Sequence, residues 1–126
     1  MTPLFLDHVV LEVRDLDRSL AFYSGVLGLV PERLDLYRAG TVPFVSVRVG
    51  ESLVDLFVSD HPGSGPHHFC LTFEEPLASI LVHLDLHGIP YTDPGSRFGA
   101  KGQGDSVYVQ DPDGHTVELR TYQNAR

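Results

Sequence analysis

The chain repeats itself. Asp7-His8-Val9-Val10-Leu11 opens one half, and His67-His68-Phe69-Cys70-Leu71 opens the other. Leu53-Val54-Asp55-Leu56 closes the first half, and Thr116-Val117-Glu118-Leu119 closes the second. A duplicated pattern requires each half to form the same supersecondary unit, with corresponding residues at corresponding places. Two histidines and two carboxylates fall at such places. They point to one metal site built across a duplicated fold.

The chain is long enough for one compact domain. Its 126 residues are 42% hydrophobic, which supplies a core and argues against disorder. The formal charge of −8 speaks against a nucleic-acid partner, which would demand clustered Lys and Arg. No apolar run approaches the roughly 20 residues that span a bilayer, so no membrane role is expected. Met1-Thr2-Pro3-Leu4 lacks the basic start of a signal peptide. With Cys70 the sole cysteine, no intrachain disulfide can form, and a cytoplasmic location is expected.

The spacing predicts βαβββ followed by βαβββ. Module one covers 4–58, a linker 59–66, and module two 67–122. Residues 4–13 are apolar and β-branched, as in a strand. Asp15 or Asp17 caps a helix running to about Leu27, with Gly28 just past its end. Strands are predicted at 30–37, 42–49 and 52–58. Asp60-His61-Pro62-Gly63-Ser64-Gly65-Pro66 reads as the linker. The second module predicts a strand at 67–73, a helix from Pro76 to Gly88 and a strand at 89–92. A loop from Pro94 to Gly104 leads to strands at 105–110 and 115–122, joined by the turn Asp111-Pro112-Asp113-Gly114.

Alternate residues of a strand face opposite sides. Val9, Leu11 and Val13 therefore oppose His8, Val10 and Glu12. Val54 and Leu56 oppose Asp55, and Val117 and Leu119 oppose Glu118 and Arg120. The apolar faces should pack on outer helices. The other faces should curve as a mixed sheet around a cavity holding His8, His68, Glu118 and Asp55. Imidazoles with carboxylates suit one divalent ion: Zn, Ni, Mn, Co or Fe(II). Two histidines and one acid leave coordination positions open for a substrate.

The opening Asp7-His8-Val9-Val10-Leu11-Glu12-Val13-Arg14-Asp15-Leu16, with Ser19-Leu20-Ala21-Phe22-Tyr23 and Leu27-Gly28-Leu29, resembles the first-module pattern of the vicinal-oxygen-chelate superfamily. The ending Asp111-Pro112-Asp113-Gly114-His115-Thr116-Val117-Glu118-Leu119 resembles its second. That superfamily includes glyoxalase I, epimerases, extradiol dioxygenases, and fosfomycin- and bleomycin-resistance proteins. The resemblance covers essentially the whole chain. It implies an α+β fold, a homodimer, and metal ligation by His8, His68 and Glu118. Asp55 stands where glyoxalase I has a Glu. Being one methylene shorter, it is either a fourth ligand or a carboxylate behind the ion.

The resemblance implies a metal-dependent lyase, isomerase, thiol transferase or dioxygenase acting on a small molecule with two neighbouring oxygens. Glu118, Asp55 or Tyr108 would move the proton. The departures are specific. Glu12 stands where bacterial-type glyoxalase I has an Arg, and Val10 where fosfomycin-resistance enzymes have a Thr. The nearest likeness is to small glyoxalase-domain proteins of unassigned activity. The alternative is a metal-independent protein that sequesters a drug or metabolite, as in bleomycin resistance. Among other groups, Cys70 reads as an inert thiol, and His67 should face the helix by strand parity. His115 reads as structural, and Lys101 as a loop residue able to close over a ligand. Arg120 and Glu12 read as substrate contacts or as each other's partners.

Overall fold

The computed structural model describes residues 1–63 and 65–123. The chain divides into two compact units, Met1–Gly65 and Pro66–Arg126, with the divide inside residues 59–66. Each unit contains a four-stranded mixed sheet.

In unit one, β1 (His8–Val13) leads into α1 (Leu16–Leu20). The strands β2 (Val30–Glu32), β3 (Val45–Val49) and β4 (Ser52–Val58) complete a sheet of order β1-β4-β3-β2. The β1–β4 pair is parallel and the others are antiparallel. Asp15 caps α1, its carboxylate accepting from the Arg18 amide at 3.2 Å. The helix then widens into a π-helical stretch over Ala21–Val26. The Leu27 amide reaches back to the Phe22 carbonyl at 3.0 Å, a five-residue step. Phe22 and Tyr23 are both buried there. Leu11, Val13, Val45, Val47, Val54 and Leu56 are buried in this core from the strands, as alternation predicts, with Leu27 and Leu29 beside them.

In unit two, β5 (Phe69–Phe73) is followed by α3 (Leu77–Leu86), β6 (Tyr91–Gly99), β7 (Gly102–Gln110) and β8 (Thr116–Thr121). The order is β5-β8-β7-β6, with only β5–β8 parallel. Leu71, Ile80, Leu84, Val107, Val109, Val117 and Leu119 are buried.

Four expectations are corrected. The strand expected at 4–13 begins at His8, because its partner β4 starts at Ser52 and pairs His8 with Leu53. The strand expected at 30–37 stops at Glu32. Arg33 adopts a left-handed φ of 62°, and Leu34–Arg38 forms a short helix, α2. The single curved sheet is two sheets by hydrogen bonding, one in each unit. The loop expected at 94–104 is a long hairpin, with Arg97 opposite Gly104 and Gly99 opposite Gly102.

The hairpin's glycines answer a packing demand. A Cβ on Gly99 would lie 2.5 Å from Arg120 Cζ, and one on Gly104 would lie 2.8 Å from the Thr121 carbonyl. Small residues here let β8 side chains lie close over the strands, which is a different reason for glycine from loop flexibility.

Candidate metal centre

Each unit brings a histidine to a carboxylate at matching positions of the repeat. Asp55 stands opposite Val10, two residues past His8. Glu118 stands opposite Cys70, two residues past His68. A step of two along β1 keeps His8 on the side of Val10 and Asp55, whereas His68 precedes β5 and reaches Glu118 by direct contact. His8 Nε2 lies 3.9 Å from Asp55 Oδ2, and His68 Nε2 lies 3.3 Å from Glu118 Oε1. Two ligands about 2.1 Å from a tetrahedral ion would be about 3.4 Å apart. The donor chemistry therefore fits a divalent metal, with the His68–Glu118 pair closer to chelating distance than His8–Asp55.

In unit one, Asp7 Oδ1 lies 2.8 Å from His8 Nδ1. A proton held between them leaves Nε2 of the neutral ring as the nitrogen facing Asp55. That hydrogen bond raises the His8 pKa, desolvation works against it, and the Asp55 charge adds to the rise. Asp55 is buried, and its Oδ1 accepts from the Ser46 hydroxyl at 2.6 Å.

In unit two, burial pushes the Glu118 pKa up. Hydrogen bonds from Ser106 and Arg120, with the Arg120 and His68 charges, outweigh it and hold the carboxyl below its usual value. Arg120 Nε donates to Glu118 Oε2 at 3.1 Å, and its Nη2 lies 3.0 Å from the same oxygen as an ion pair. It also caps the carbonyls of Arg97 and Phe98. Arg120 is thus tied to Glu118 and to the backbone of β6. Tyr108 sits opposite Glu118 in the sheet, and its ring meets His68 edge-on at 5.6 Å.

His67 departs from its expected orientation. β5 begins only at Phe69, so strand parity does not extend to it. It is exposed, and its Nδ1 lies 2.8 Å from His68 Nδ1, which orients the His68 ring. Cys70 is exposed as a residue, yet desolvation of its sulfur, then the Glu118 charge, push the thiol up to about 11. Such a thiol is a poor nucleophile near neutrality. His115 is buried, its amide donating to Asp111 Oδ1 at 2.8 Å in the turn before β8. Lys101 is exposed at the hairpin tip, its amide donating to the Tyr122 hydroxyl.

Among the described residues no three His, Cys, Asp or Glu side chains form a ready cluster, so each unit is a two-donor pair. Sequence reasoning missed Asp7, Ser46, Arg33 and Arg97. Only Asp7 had a readable signal, its place beside His8. The others depend on pairing and backbone turns that the sequence does not display.

Residues 5–119 match the family described as Glyoxalase/Bleomycin resistance protein/Dioxygenase superfamily. The chain belongs to this superfamily. Among its glyoxalase-superfamily relatives is the glyoxalase domain-containing protein RDO1 of Mycosarcoma maydis, 32% identical over 96% of this chain and 70% of that protein. A probable lactoylglutathione lyase of Synechocystis is 29% identical over 92% of this chain and 94% of the relative. The crystal structure of virulence protein STM3117 from Salmonella typhimurium superposes with a TM-score of 0.82. It is 25% identical and covers 98% of this chain and all of that one, 100%. No helix among the described residues of this superfamily member is long and apolar enough to cross a membrane.

Proposed function

We propose that this chain is a divalent-metal-dependent enzyme of the glyoxalase type, in the lyase and isomerase class, acting on a small substrate with two neighbouring oxygens. The observation that carries the reading is the duplicated pair. In both units a histidine Nε2 faces a carboxylate oxygen at matching positions of the repeat, at 3.9 and 3.3 Å. His8, His68 and Glu118 are the ligands in this reading. Asp55, at the longer distance, is a fourth donor or a carboxylate behind the ion. The similarity to a probable lactoylglutathione lyase supports the reaction class.

A bound ion would supply Lewis acidity toward the substrate oxygens. The chain's own groups do the rest. In this reading the Tyr108 phenol, whose ring lies against His68, would donate a hydrogen bond to a substrate oxygen. Arg120 and Ser106 keep Glu118 ionised, hence able to accept a proton or a cation. We take the active form to be a homodimer in a cytoplasmic setting, with one ion for each set of four donors.

Metal content of the purified chain tests this reading. The count is best made in a His83→Ala background, because exposed His83 and His87 lie one helical turn apart with ring centroids at 4.5 Å and offer a second imidazole pair. We expect about one ion per chain. His8→Ala, His68→Ala or Glu118→Ala should remove most of it. Asp55→Ala should cost about 10- to 100-fold in affinity, less than His8→Ala. Mixing inactive His8→Ala and Glu118→Ala chains should recover part of the metal if ligands are shared across a dimer. Full occupancy in the His8→Ala, Glu118→Ala double variant would sink the assignment. Tight binding of a drug or metabolite by metal-free protein would favour sequestration instead. Turnover is sought first on hemithioacetals of α-ketoaldehydes, made with glutathione and with smaller thiols.

A further inference from the structure

Each carboxylate is held by a serine, and each serine is held by an arginine. In unit one, Arg33 Nη2 donates to Ser46 Oγ at 2.7 Å, and Ser46 Oγ donates to Asp55 Oδ1 at 2.6 Å. In unit two, Arg97 Nη1 donates to Ser106 Oγ, and the Ser106 hydroxyl hydrogen-bonds Glu118. Both serines are fully buried.

The repeat alone does not account for this likeness. Ser46 stands opposite Asp55, the place that Tyr108 holds opposite Glu118. Ser106 stands opposite Arg120 instead. Arg33 occupies a left-handed turn before α2, whereas Arg97 lies within β6. Different backbone positions thus deliver the same three-membered chain.

Hydrogen-bonding logic fixes its direction. A hydroxyl has one proton, and a guanidinium only donates. Once the arginine occupies a serine lone pair, the serine proton goes to the carboxylate. In unit one this commits Asp55 Oδ1 and leaves Oδ2, the oxygen facing His8 Nε2. In unit two Arg120 commits Glu118 Oε2, and Oε1 faces His68 Nε2. Each guanidinium is itself pinned. Arg33 lies over the Phe44 ring at 5.5 Å. Arg97 lies over the Tyr108 ring at 5.0 Å and also donates to the carbonyls of Ser106 and Asp93.

We propose that Arg33 and Ser46 are positioning residues, the arginine directing the serine proton onto Asp55 Oδ1 and so fixing Oδ2 toward His8 for metal binding, and that Arg97 and Ser106 support Glu118 alongside Arg120. The inference rests on the metal reading above and deepens it. It assigns to four residues outside the ligand set a share of the affinity for the ion.

Co(II) titration of the full-length chain tests it. Affinity is read by competition with a chromogenic chelator, and geometry by the visible d–d bands. Ser46→Ala and Ser106→Ala should each weaken Co(II) by about 10- to 100-fold and shift the bands. Ser46→Thr, which keeps the hydroxyl, should regain most of the affinity. Arg33→Ala should weaken Co(II) in the unaltered chain and add nothing in the Ser46→Ala background, because the arginine acts through the serine. Thermal midpoints of the metal-free proteins separate this from loss of folding. Should Ser46→Ala not fold, the Ser106→Ala arm decides. Wild-type affinity and bands in folded serine variants would overturn the inference while leaving the metal reading intact. An Arg33→Ala loss of equal size in both backgrounds would also overturn it. No Co(II) binding by the unaltered chain would overturn both.

Discussion

Two residues beyond its carboxylate, unit one places a ring and unit two places a charge. Phe57 follows Asp55 and stacks on Phe44, with centroids 4.6 Å apart and planes at 17°. Arg120 follows Glu118 and turns back onto it. The sheets have corresponding order and register, so the backbone does not dictate this difference. Unit one holds a short acid with a single hydroxyl beside an apolar stack. Unit two holds a longer acid with a buried guanidinium that also ties down β6 through two carbonyls. One supersecondary unit therefore supports two electrostatic environments, and unit two should be the less tolerant of substitution.

The largest expected effect probes that contrast directly. Arg120→Met leaves the Glu118 charge buried without its partner, at a cost of about 3–5 kcal/mol. Phe57→Leu keeps an apolar group of similar bulk in unit one and should cost less than about 1.5 kcal/mol. Urea unfolding of both variants measures the difference, and equal losses would erase the distinction between the units.

Glycine substitutions should give a smaller contrast. Gly99→Ala drives a methyl against the Arg120 guanidinium and the Tyr122 hydroxyl. It should destabilise by about 1–3 kcal/mol, the usual range for overpacking. Gly25, in the π-helical stretch of unit one, has nothing within 4 Å of an added Cβ. Gly25→Ala should be neutral or gain up to about 1 kcal/mol from helix propensity. A destabilised Gly25→Ala chain would show that the wide helical turn itself requires glycine.

The smallest effects lie in pH dependence, and the units have opposite signs. The Glu118 pKa is lowered, so its contribution is present above the ordinary carboxylate range and is lost as pH falls through the lowered value. The His8 pKa is raised, so its contribution is present below the ordinary histidine value and is lost as pH rises through the raised one. Glu118→Gln should flatten the acid limb of the stability curve, and His8→Ala the limb above the ordinary histidine value. Denaturation midpoints of the metal-free chains across pH check both. Reversed assignments would mean that other groups control those limbs.

Much of this was written in the sequence, and for a local reason. Alternation along His8–Val13 and Thr116–Thr121 reports which side chains share a face, since strand geometry has a fixed period of two. The duplicated His and acid therefore marked matching positions in the two halves, expected at one site, and the run Asp111-Pro112-Asp113-Gly114 marked its turn. What the sequence could not show was pairing. Arg33 ends a strand that apolar periodicity would have continued, because β3 offers partners only for Val30 to Glu32. The glycine-rich stretch from Gly95 to Gly104 has loop composition but forms a hairpin. Its glycines accommodate Arg120, a residue of a strand distant in sequence. The serine and arginine behind each carboxylate are likewise invisible in the chain. Their roles arise from cross-strand register and from which atom donates to which, and only the folded backbone decides those.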